Sequence, residues 1–246
     1  CHDYTYHHPD RKSSCGTHVS YRQKTKTMNS TFHTIKTQLQ KKDPRAHLKI
    51  DRFKACPQCL RSREECFCGK VLSFENHLRV IILQHPQEQY KQLNSAKLAN
   101  MTLSNSKLLV GLSWPNFKYV AGPDEQPSNW GILYLKGSAE TSKPCQVFAR
   151  NKKEMDNPSA LRGIIALDGS WKQAKTLWWR NPWFLKLNRI SLNPQHHSLR
   201  AQTKREGLST IEAIALALKC LGEKEEITAS LIEQYGKLIL NPGKVL

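Results

Sequence analysis

The chain of 246 residues has no long apolar run and few acidic residues. No stretch approaches the roughly 20 apolar residues of a membrane-spanning helix, so we expect neither an integral membrane protein nor a membrane partner. Only 20 Asp and Glu oppose 38 Lys and Arg, which gives a formal net charge of +18. A charge of this size indicates a polyanionic partner, and nucleic acid is the first to consider.

Two common nucleotide-binding motifs are also missing from the sequence. No G-x-G-x-x-G follows a predicted strand and no Walker sequence is present, so neither a Rossmann cofactor nor P-loop phosphoryl transfer is supported. Hydrophobic residues make up 39% of the chain, which is enough for a core and excludes wholesale disorder.

The first methionine is Met28, and residues 1–53 have little periodic apolar content. We expect this stretch to be a flexible basic segment with one short helix at 32–40. Residues 1–27 contain no secretory signal and are interpreted as an upstream extension or tail outside the fold. Six of the ten histidines lie in residues 1–55, where a solvated tail is favoured over a ligand role.

Eight cysteines without a secretory signal favour a cytoplasmic chain with reduced thiols, in which clustered cysteines more often bind metal than pair. Four of them lie within thirteen positions in a segment at 54–75: Cys56, Cys59, Cys66 and Cys68. Four thiolates at this spacing form a tetrahedral sulfur site that suits a structural Zn²⁺ ion. An iron–sulfur cluster or an unligated redox set is the alternative.

Residues 76–246 alternate short apolar runs with helical patterns. Strands are predicted at 80–83, 108–110, 132–135, 164–167 and 189–192, and the stretch 114–129 is predicted as a loop. Helices are predicted at 95–101, from Ser170 to Pro182, from Ser209 onward and at 228–240; capping boxes mark the second and third. The alternation predicts an α/β domain with a mainly parallel sheet and helices on both faces.

Ligands of such sheets bind outside the carboxyl ends of the strands, where the sequence places polar clusters at 84–88 and 168–171. Asp168 suits a base or a ligand anchor, but with Ser170 it also suits a helix cap. His85 can orient a ligand, although a hydrogen bond to the loop backbone is the more common role. Trp171 can stack on a base, although packing of its helix is favoured.

Basic residues follow these clusters. Arg200, Lys204 and Arg205 form a loop that suits phosphate, with a solvated charge run as the alternative. Most of the tryptophans at 178–183 are expected in the core. An exposed Trp179 or Trp183 beside Arg180 and Lys186 would suit stacking on nucleotides.

Four motifs occur in order over about residues 54–240: the cysteine segment, His85-Pro86-Gln87-Glu88, Asp168-Gly169-Ser170-Trp171 and a segment at 208–213. Together they resemble the DTW-domain family of tRNA-uridine aminocarboxypropyltransferases, distant relatives of the SPOUT RNA methyltransferases. Two positions depart from the family pattern. Ser170 replaces the signature threonine, and Asn94-Ser95-Ala96 stands where the family has Asn-Thr-Gly.

The resemblance implies a SPOUT-like fold, in whose relatives the C-terminal segment threads a knot. It also implies that S-adenosylmethionine, as co-substrate, donates its 3-amino-3-carboxypropyl group to N3 of a tRNA uridine and leaves as methylthioadenosine. Asp168 would remove the uridine proton or position the cofactor. The implied cofactor-binding residues are His85, Ser95, Ser170, Trp171, Ser209, Thr210 and Glu212.

The positive charge of the chain predicts RNA binding, with the cysteine segment and the loop at 200–205 lining the path of the tRNA. No obligate protein partner is implied. Three alternatives stay open: the same transfer on rRNA, a SPOUT-type methyl transfer, and a non-catalytic zinc-knuckle RNA-binding protein.

Overall fold

The computed structural model describes residues 56–63, 66–91, 93–134, 143–194, 197–199 and 207–240. The predictions for residues 1–53 lie outside the described residues, and so do those for Arg200, Lys204 and Arg205. In the described part of the chain, no helix combines the length and apolar character needed to cross a membrane.

In the part of the chain that the structure describes, six strands form one sheet in the order β2-β1-β5-β3-β6-β4. They are β1 (Arg79–Gln84), β2 (Ser106–Val110), β3 (Trp130–Tyr134), β4 (Cys145–Phe148), β5 (Gly163–Asp168) and β6 (Asn188–Leu192). Neighbouring strands are parallel, except that β4 runs antiparallel to β6. The predicted α/β architecture with a mainly parallel sheet is therefore confirmed.

Five α-helices of the described residues accompany the sheet: α1 (Ser95–Thr102), α2 (Phe117–Ala121), α3 (Trp171–Arg180), α4 (Thr210–Cys220) and α5 (Glu225–Leu240). The β-branched and leucine side chains of β1 alternate between the two faces, as the period of a strand requires. Val80 and Ile82 pack with α1, α4 and α5, whereas Ile81 and Leu83 pack with α2 and α3. Helices therefore cover both faces, as predicted.

Two elements were not predicted from the sequence. The stretch predicted as a loop at 114–129 contains α2, which begins where the Asn116 side chain accepts a hydrogen bond from the Tyr119 N–H and ends before Gly122. Gly122 has a φ of +117°, which an L side chain rarely adopts. The other is β4, a four-residue edge strand. The prediction at 114–129 was wrong because prolines and glycines on either side of α2 concealed a short, well-capped helix.

The cysteine segment packs against the α1 side of the core. Cys59 and Phe67 are buried in the same hydrophobic cluster as α1, α4 and α5. Leu72 is held through its backbone N–H, which donates to Oε1 of Gln234 on α5 at 2.9 Å. The domain boundaries at 53 and 75 and the knotted C-terminal segment stay predictions.

Candidate functional site

The two polar clusters meet because β1 and β5 are neighbours in the sheet. Gln84, the last residue of β1, lies in register with Asp168, the last residue of β5. One residue further on, the backbone N–H of His85 donates to the carbonyl of Asp168 at 2.9 Å. The cluster thus lies outside the carboxyl ends of two central parallel strands, which is where open α/β sheets bind ligands.

The carboxylate of Asp168 is the buried centre of this cluster. Gln84 Nε2 donates to its Oδ2 at 2.8 Å and Thr210 Oγ1 to its Oδ1 at 2.5 Å. Only 7% of the residue is exposed. Burial raises the pKa of Asp168, and the negative charge of Glu88 adds to the rise, against the opposing hydrogen bonds from Thr210 and Gln84. A carboxyl with a raised pKa holds a proton more readily than a solvated one, so it suits proton transfer.

The structure separates the two roles that the sequence left open for Asp168 and Ser170. Ser170 is the N-cap of α3, because its Oγ accepts from the Gln173 N–H at 3.4 Å while Gln173 Oε1 accepts from the Ser170 N–H at 2.6 Å. The hydrogen bonds to the Asp168 carboxylate come instead from β1 and α4. The Asp168 side chain therefore does not cap α3, and its role in the site stays a prediction.

Three helix N-termini converge on the cluster. The N-cap of α1 is Asn94, whose Oδ1 accepts from the Lys97 N–H at 2.9 Å and from Gln84 Nε2 at 3.2 Å. The first residue of α4 is Thr210, which binds Asp168. The third helix, α3, starts three residues after Asp168. Helix N-termini carry unpaired N–H groups and a partial positive charge, which suit a ligand carboxylate.

Gln84 is the site residue that sequence reasoning did not single out. It is fully buried, and its Oε1 has no hydrogen-bond partner, whereas its Nε2 binds Asp168 and Asn94. A buried acceptor without a donor is costly, so a donor from a bound ligand or a water molecule would stabilise it. The signal in the sequence was a glutamine that ends an otherwise apolar strand.

Glu88 extends the network to the loop after β1. Its backbone carbonyl accepts from Asn94 Nδ2 at 2.9 Å, and its side-chain Oε1 pairs with Lys91 Nζ at 2.7 Å. His85 accepts a hydrogen bond from the Gln87 N–H at its Nδ1, 3.3 Å away. This is the backbone role that the sequence favoured for His85.

The predicted residues of the last motif lie at the start of α4. Glu212 is 2% exposed, and its Oε2 accepts from the Ser209 N–H at 2.9 Å and from the Ser209 and Ser198 hydroxyls at 2.5 Å each. Its Oε1 accepts from the Leu199 N–H at 2.7 Å. Both oxygens thus hold the chain at 198–199 against α4.

Of the predicted residues, the structure brings His85, Asp168, Ser170 and Thr210 to one place, and Ser95 begins the neighbouring helix α1. Trp171 is half-buried at the start of α3. The cofactor contacts of all these residues stay predictions.

The four thiols of the cysteine segment form a compact group. The Sγ atoms of Cys56 and Cys68 are 3.8 Å apart, as are those of Cys59 and Cys66, and all four lie within 4.8 Å of one another. A tetrahedron with metal–sulfur bonds of about 2.3 Å has sulfur–sulfur edges of about 3.8 Å. The four predicted ligands therefore lie close enough together to hold a metal ion such as Zn²⁺.

Local backbone structure supports this arrangement. Leu60 has a φ of +63°, which turns the chain directly after Cys59. Burial raises the pKa of Cys56, but hydrogen bonds to its thiol from the Cys59 and Gln58 backbone outweigh burial and lower the pKa to about 6. Burial raises the pKa of the Cys59 and Cys68 thiols instead, so metal binding would have to displace their protons, because thiolate is the form that binds metal.

An open cavity of about 750 Å³ lies at the opposite edge of the sheet, between the starts of β3 and β6. Its lining includes Arg150, Lys186 and Asn188 but no residue of the polar clusters at 84–88 and 168–171 or of the last motif. Since ligands of parallel sheets bind at the carboxyl ends of the strands, the cluster around Asp168 is the better candidate site.

Comparison with known proteins identifies the family to which the chain belongs. The DTW domain model matches residues 53–240. The chain is 28% identical to "tRNA-uridine aminocarboxypropyltransferase 2" of Macaca fascicularis over 186 residues, covering 72% of this chain and 59% of that protein. Its Drosophila melanogaster namesake is 25% identical over 189 residues, covering 74% of this chain and 72% of that protein.

The Mus musculus protein of the same name is 27% identical over 195 residues, covering 74% of this chain and 61% of that protein. The chain therefore spans about three fifths of the length of the macaque and mouse relatives. No solved structure matches the chain significantly.

Proposed function

The chain belongs to the DTW domain family, and from that premise we propose that it is a tRNA-uridine aminocarboxypropyltransferase. It transfers the 3-amino-3-carboxypropyl group of S-adenosylmethionine to N3 of a tRNA uridine and releases methylthioadenosine. The names of the macaque, fly and mouse relatives support the reaction and the substrate class. The net charge of +18 supports a nucleic-acid substrate.

The observation that carries the proposal is the buried carboxylate of Asp168, held by Gln84 and Thr210 at the carboxyl edge of the sheet. The sulfonium of S-adenosylmethionine makes the adjoining carbon of the aminocarboxypropyl group electrophilic. The uridine N3–H loses its proton to an Asp168 oxygen as N3 bonds to that carbon. The electron pair of the broken carbon–sulfur bond stays on sulfur. Asp168 is thus the general base, and its raised pKa helps it keep the proton.

The surroundings of Asp168 fit the ionic groups of this co-substrate. A nearby cation lowers the raised pKa of a buried carboxyl and so favours the ionised form that can accept the uridine proton. The Oε1 of Gln84 lacks the donor that an ammonium group would supply. The N-termini of α1, α3 and α4 offer N–H groups for a carboxylate. Ser95, Ser170, Thr210 and Ser209 lie at these starts, and His85 and Trp171 flank them.

Glu212 positions other residues of the site rather than contacting the co-substrate itself. Its two oxygens hold residues 198–199 and Ser209, so it sets the place of the α4 N-terminus and of Thr210. This arrangement supports a structural role for Glu212, as the residue that completes the capping box of α4, over the cofactor contact that the resemblance implies.

A structural Zn²⁺ ion belongs to the proposal as well. The ion would be held by Cys56, Cys59, Cys66 and Cys68 and would fasten their segment to the core around α1. Four sulfur ligands leave no open coordination position, so the ion would stabilise the fold and take no part in the transfer.

The experiment is mass spectrometry of nucleosides. Purified protein is incubated with S-adenosylmethionine and unmodified tRNA transcripts, and the RNA is then digested. We expect a uridine with the aminocarboxypropyl mass and an equal amount of methylthioadenosine. A methyl adduct would place the protein with the methyltransferases. An adduct on rRNA alone would show that rRNA, and not tRNA, is the substrate. No adduct on either RNA would favour the alternative of a non-catalytic RNA-binding protein.

A further inference from the structure

We propose that one exposed face of α3, formed by Lys172, Lys175 and Trp179 and called here the α3 face, binds a single-stranded segment of RNA beside the candidate site. One base stacks on the indole of Trp179, and the two lysines contact neighbouring phosphates. The inference rests on the proposed function for the identity of the RNA as tRNA. Its binding test is independent of catalysis.

Trp179 is the most exposed large apolar side chain in the described part of the chain, at 78%. Its neighbour Trp178 packs against the core, and Trp183 is buried. Nothing in the packing of α3 requires an indole at position 179, since Ala174 and Leu177 supply the buried face of the helix. An exposed indole is a stacking platform for any nucleobase, because every base has a π-face.

The charge around Trp179 matches a polyanion. Lys172, Lys175 and Trp179 are separated by three and four residues, so they lie on one side of the helix. All three are exposed, and in the described residues neither lysine takes part in an ion pair. Residues 169–205 contain eight Lys and Arg and no Asp or Glu. The segment that contains the α3 face thus carries no negative side chain that would repel phosphate.

The position of the α3 face connects it to the site. Helix α3 starts three residues after Asp168, and Gln173 Nε2 in its first turn donates to Gln87 Oε1 at 2.9 Å. At about 1.5 Å per residue, Trp179 lies roughly 12 Å along the helix from Trp171. The N3 atom of a paired uridine is hidden in the base pair, so the target must be unpaired. The α3 face can hold the stretch of RNA that adjoins the unpaired target uridine.

The test measures binding of a fluorescein-labelled, uridine-rich single-stranded RNA by fluorescence anisotropy. We expect Trp179→Ala to weaken binding about tenfold, within the range for loss of one stacked base. Trp179→Phe, which keeps an aromatic face, should stay within about threefold of the wild type. Because the residue is exposed, both variants should unfold at the wild-type temperature.

Tyr119→Ala is the matched aromatic control. Tyr119 is 63% exposed on α2, whose last residue, Ala121, accepts a hydrogen bond from Arg79 at the start of β1 and therefore lies near the opposite edge of the sheet. This control should bind as the wild type does. Unchanged binding by Trp179→Ala, equal losses in both alanine variants, or a Phe variant as weak as the Ala variant would each overturn the assignment.

Salt dependence tests the lysines. Replacing Lys172 and Lys175 together by Gln should reduce the slope of log affinity against log salt by about 1.4, the value for two phosphates of a single strand. Lys237→Gln is the charge control, since Lys237 lies on α5 and is paired with Glu233. An unchanged slope for the double variant would contradict the phosphate contacts.

The two proposals fail separately. If the wild type transfers no aminocarboxypropyl group but Trp179→Ala still weakens RNA binding, the proposed function is wrong and the α3 face stands. If the wild type transfers the group and Trp179→Ala keeps both affinity and kcat/KM, the α3 face is wrong and the function stands. A wild type that binds no RNA would overturn the α3 face.

Discussion

Replacing Asp168 by Asn removes the proposed base and keeps its shape. The Asn Oδ1 can accept from Gln84 Nε2, and its Nδ2 can donate to Thr210 Oγ1, because a hydroxyl is both donor and acceptor. The buried hydrogen bonds are thus retained, and the free-energy cost of a buried carboxylate is removed. We therefore expect Asp168→Asn to fold at least as stably as the wild type.

The effect on catalysis should be large. A positioned general base contributes about 10²–10⁴-fold to the rate, which corresponds to roughly 3–5 kcal/mol at about 1.36 kcal/mol per decade. The assay is the initial rate of methylthioadenosine release with saturating tRNA, together with tRNA affinity and the unfolding temperature. We expect the rate of Asp168→Asn to fall by at least about 100-fold, with tRNA affinity unchanged.

Asp124→Asn serves as the matched control, because Asp124 is exposed on the loop after α2 and lies in no predicted motif. It should transfer at the wild-type rate. If Asp168→Asn also keeps a rate within about twofold of the wild type, the carboxylate is not the base and the reasoning from its burial is wrong.

Three further predictions concern stability. The pKa of Asp168 is raised in the folded chain, so the folded chain keeps this proton to higher pH than the unfolded chain does. The stability that the bound proton contributes is fully present below the unfolded pKa of about 3.9 and is lost as pH rises through the folded pKa. Chemical denaturation at several pH values should show Asp168→Asn gaining stability over the wild type across that interval; a difference independent of pH would contradict the raised pKa. Atomic spectroscopy should find one zinc ion per chain. Loss of the ion in Cys59→Ser should lower the unfolding temperature by at least about 5 °C, since about 1 kcal/mol corresponds to roughly 2–4 °C at this size. A wild type that contains no zinc and unfolds at the same temperature as Cys59→Ser would refute the zinc site. Glu212→Gln leaves buried donors facing an amide and should lower the free energy of unfolding by about 1–3 kcal/mol in urea, against little change for the exposed Glu233→Gln; equal effects would contradict the anchoring role.

The strands and helix starts followed from local patterns in the sequence. The apolar runs that became β1 and β5 are β-branched and buried on both faces, which distinguishes them from surface helices. The capping boxes at Ser170 and Ser209 marked the starts of α3 and α4 to the residue. These features depend on neighbours within a few positions, and so a single sequence contains them.

The geometry of the site depends on contacts between distant residues. Asp168 and Thr210 are 42 positions apart, and they meet only because α4 begins beside the end of β5. Gln84 joins them because β1 and β5 are neighbours, although three strands separate them in the chain. Strand order is not readable from periodicity, so the sequence located the two polar clusters but not the hydrogen bonds between them.

The central claim is that the attacked carbon belongs to the aminocarboxypropyl chain and that uridine receives it. The direct measurement uses two preparations of S-adenosylmethionine, one labelled with ¹³C in the methyl group and one in the aminocarboxypropyl chain. With wild-type protein and tRNA transcripts, the account predicts that the chain label enters uridine and that the methyl label leaves with methylthioadenosine. Methyl label in the RNA, or no label in it from either preparation, would contradict the account.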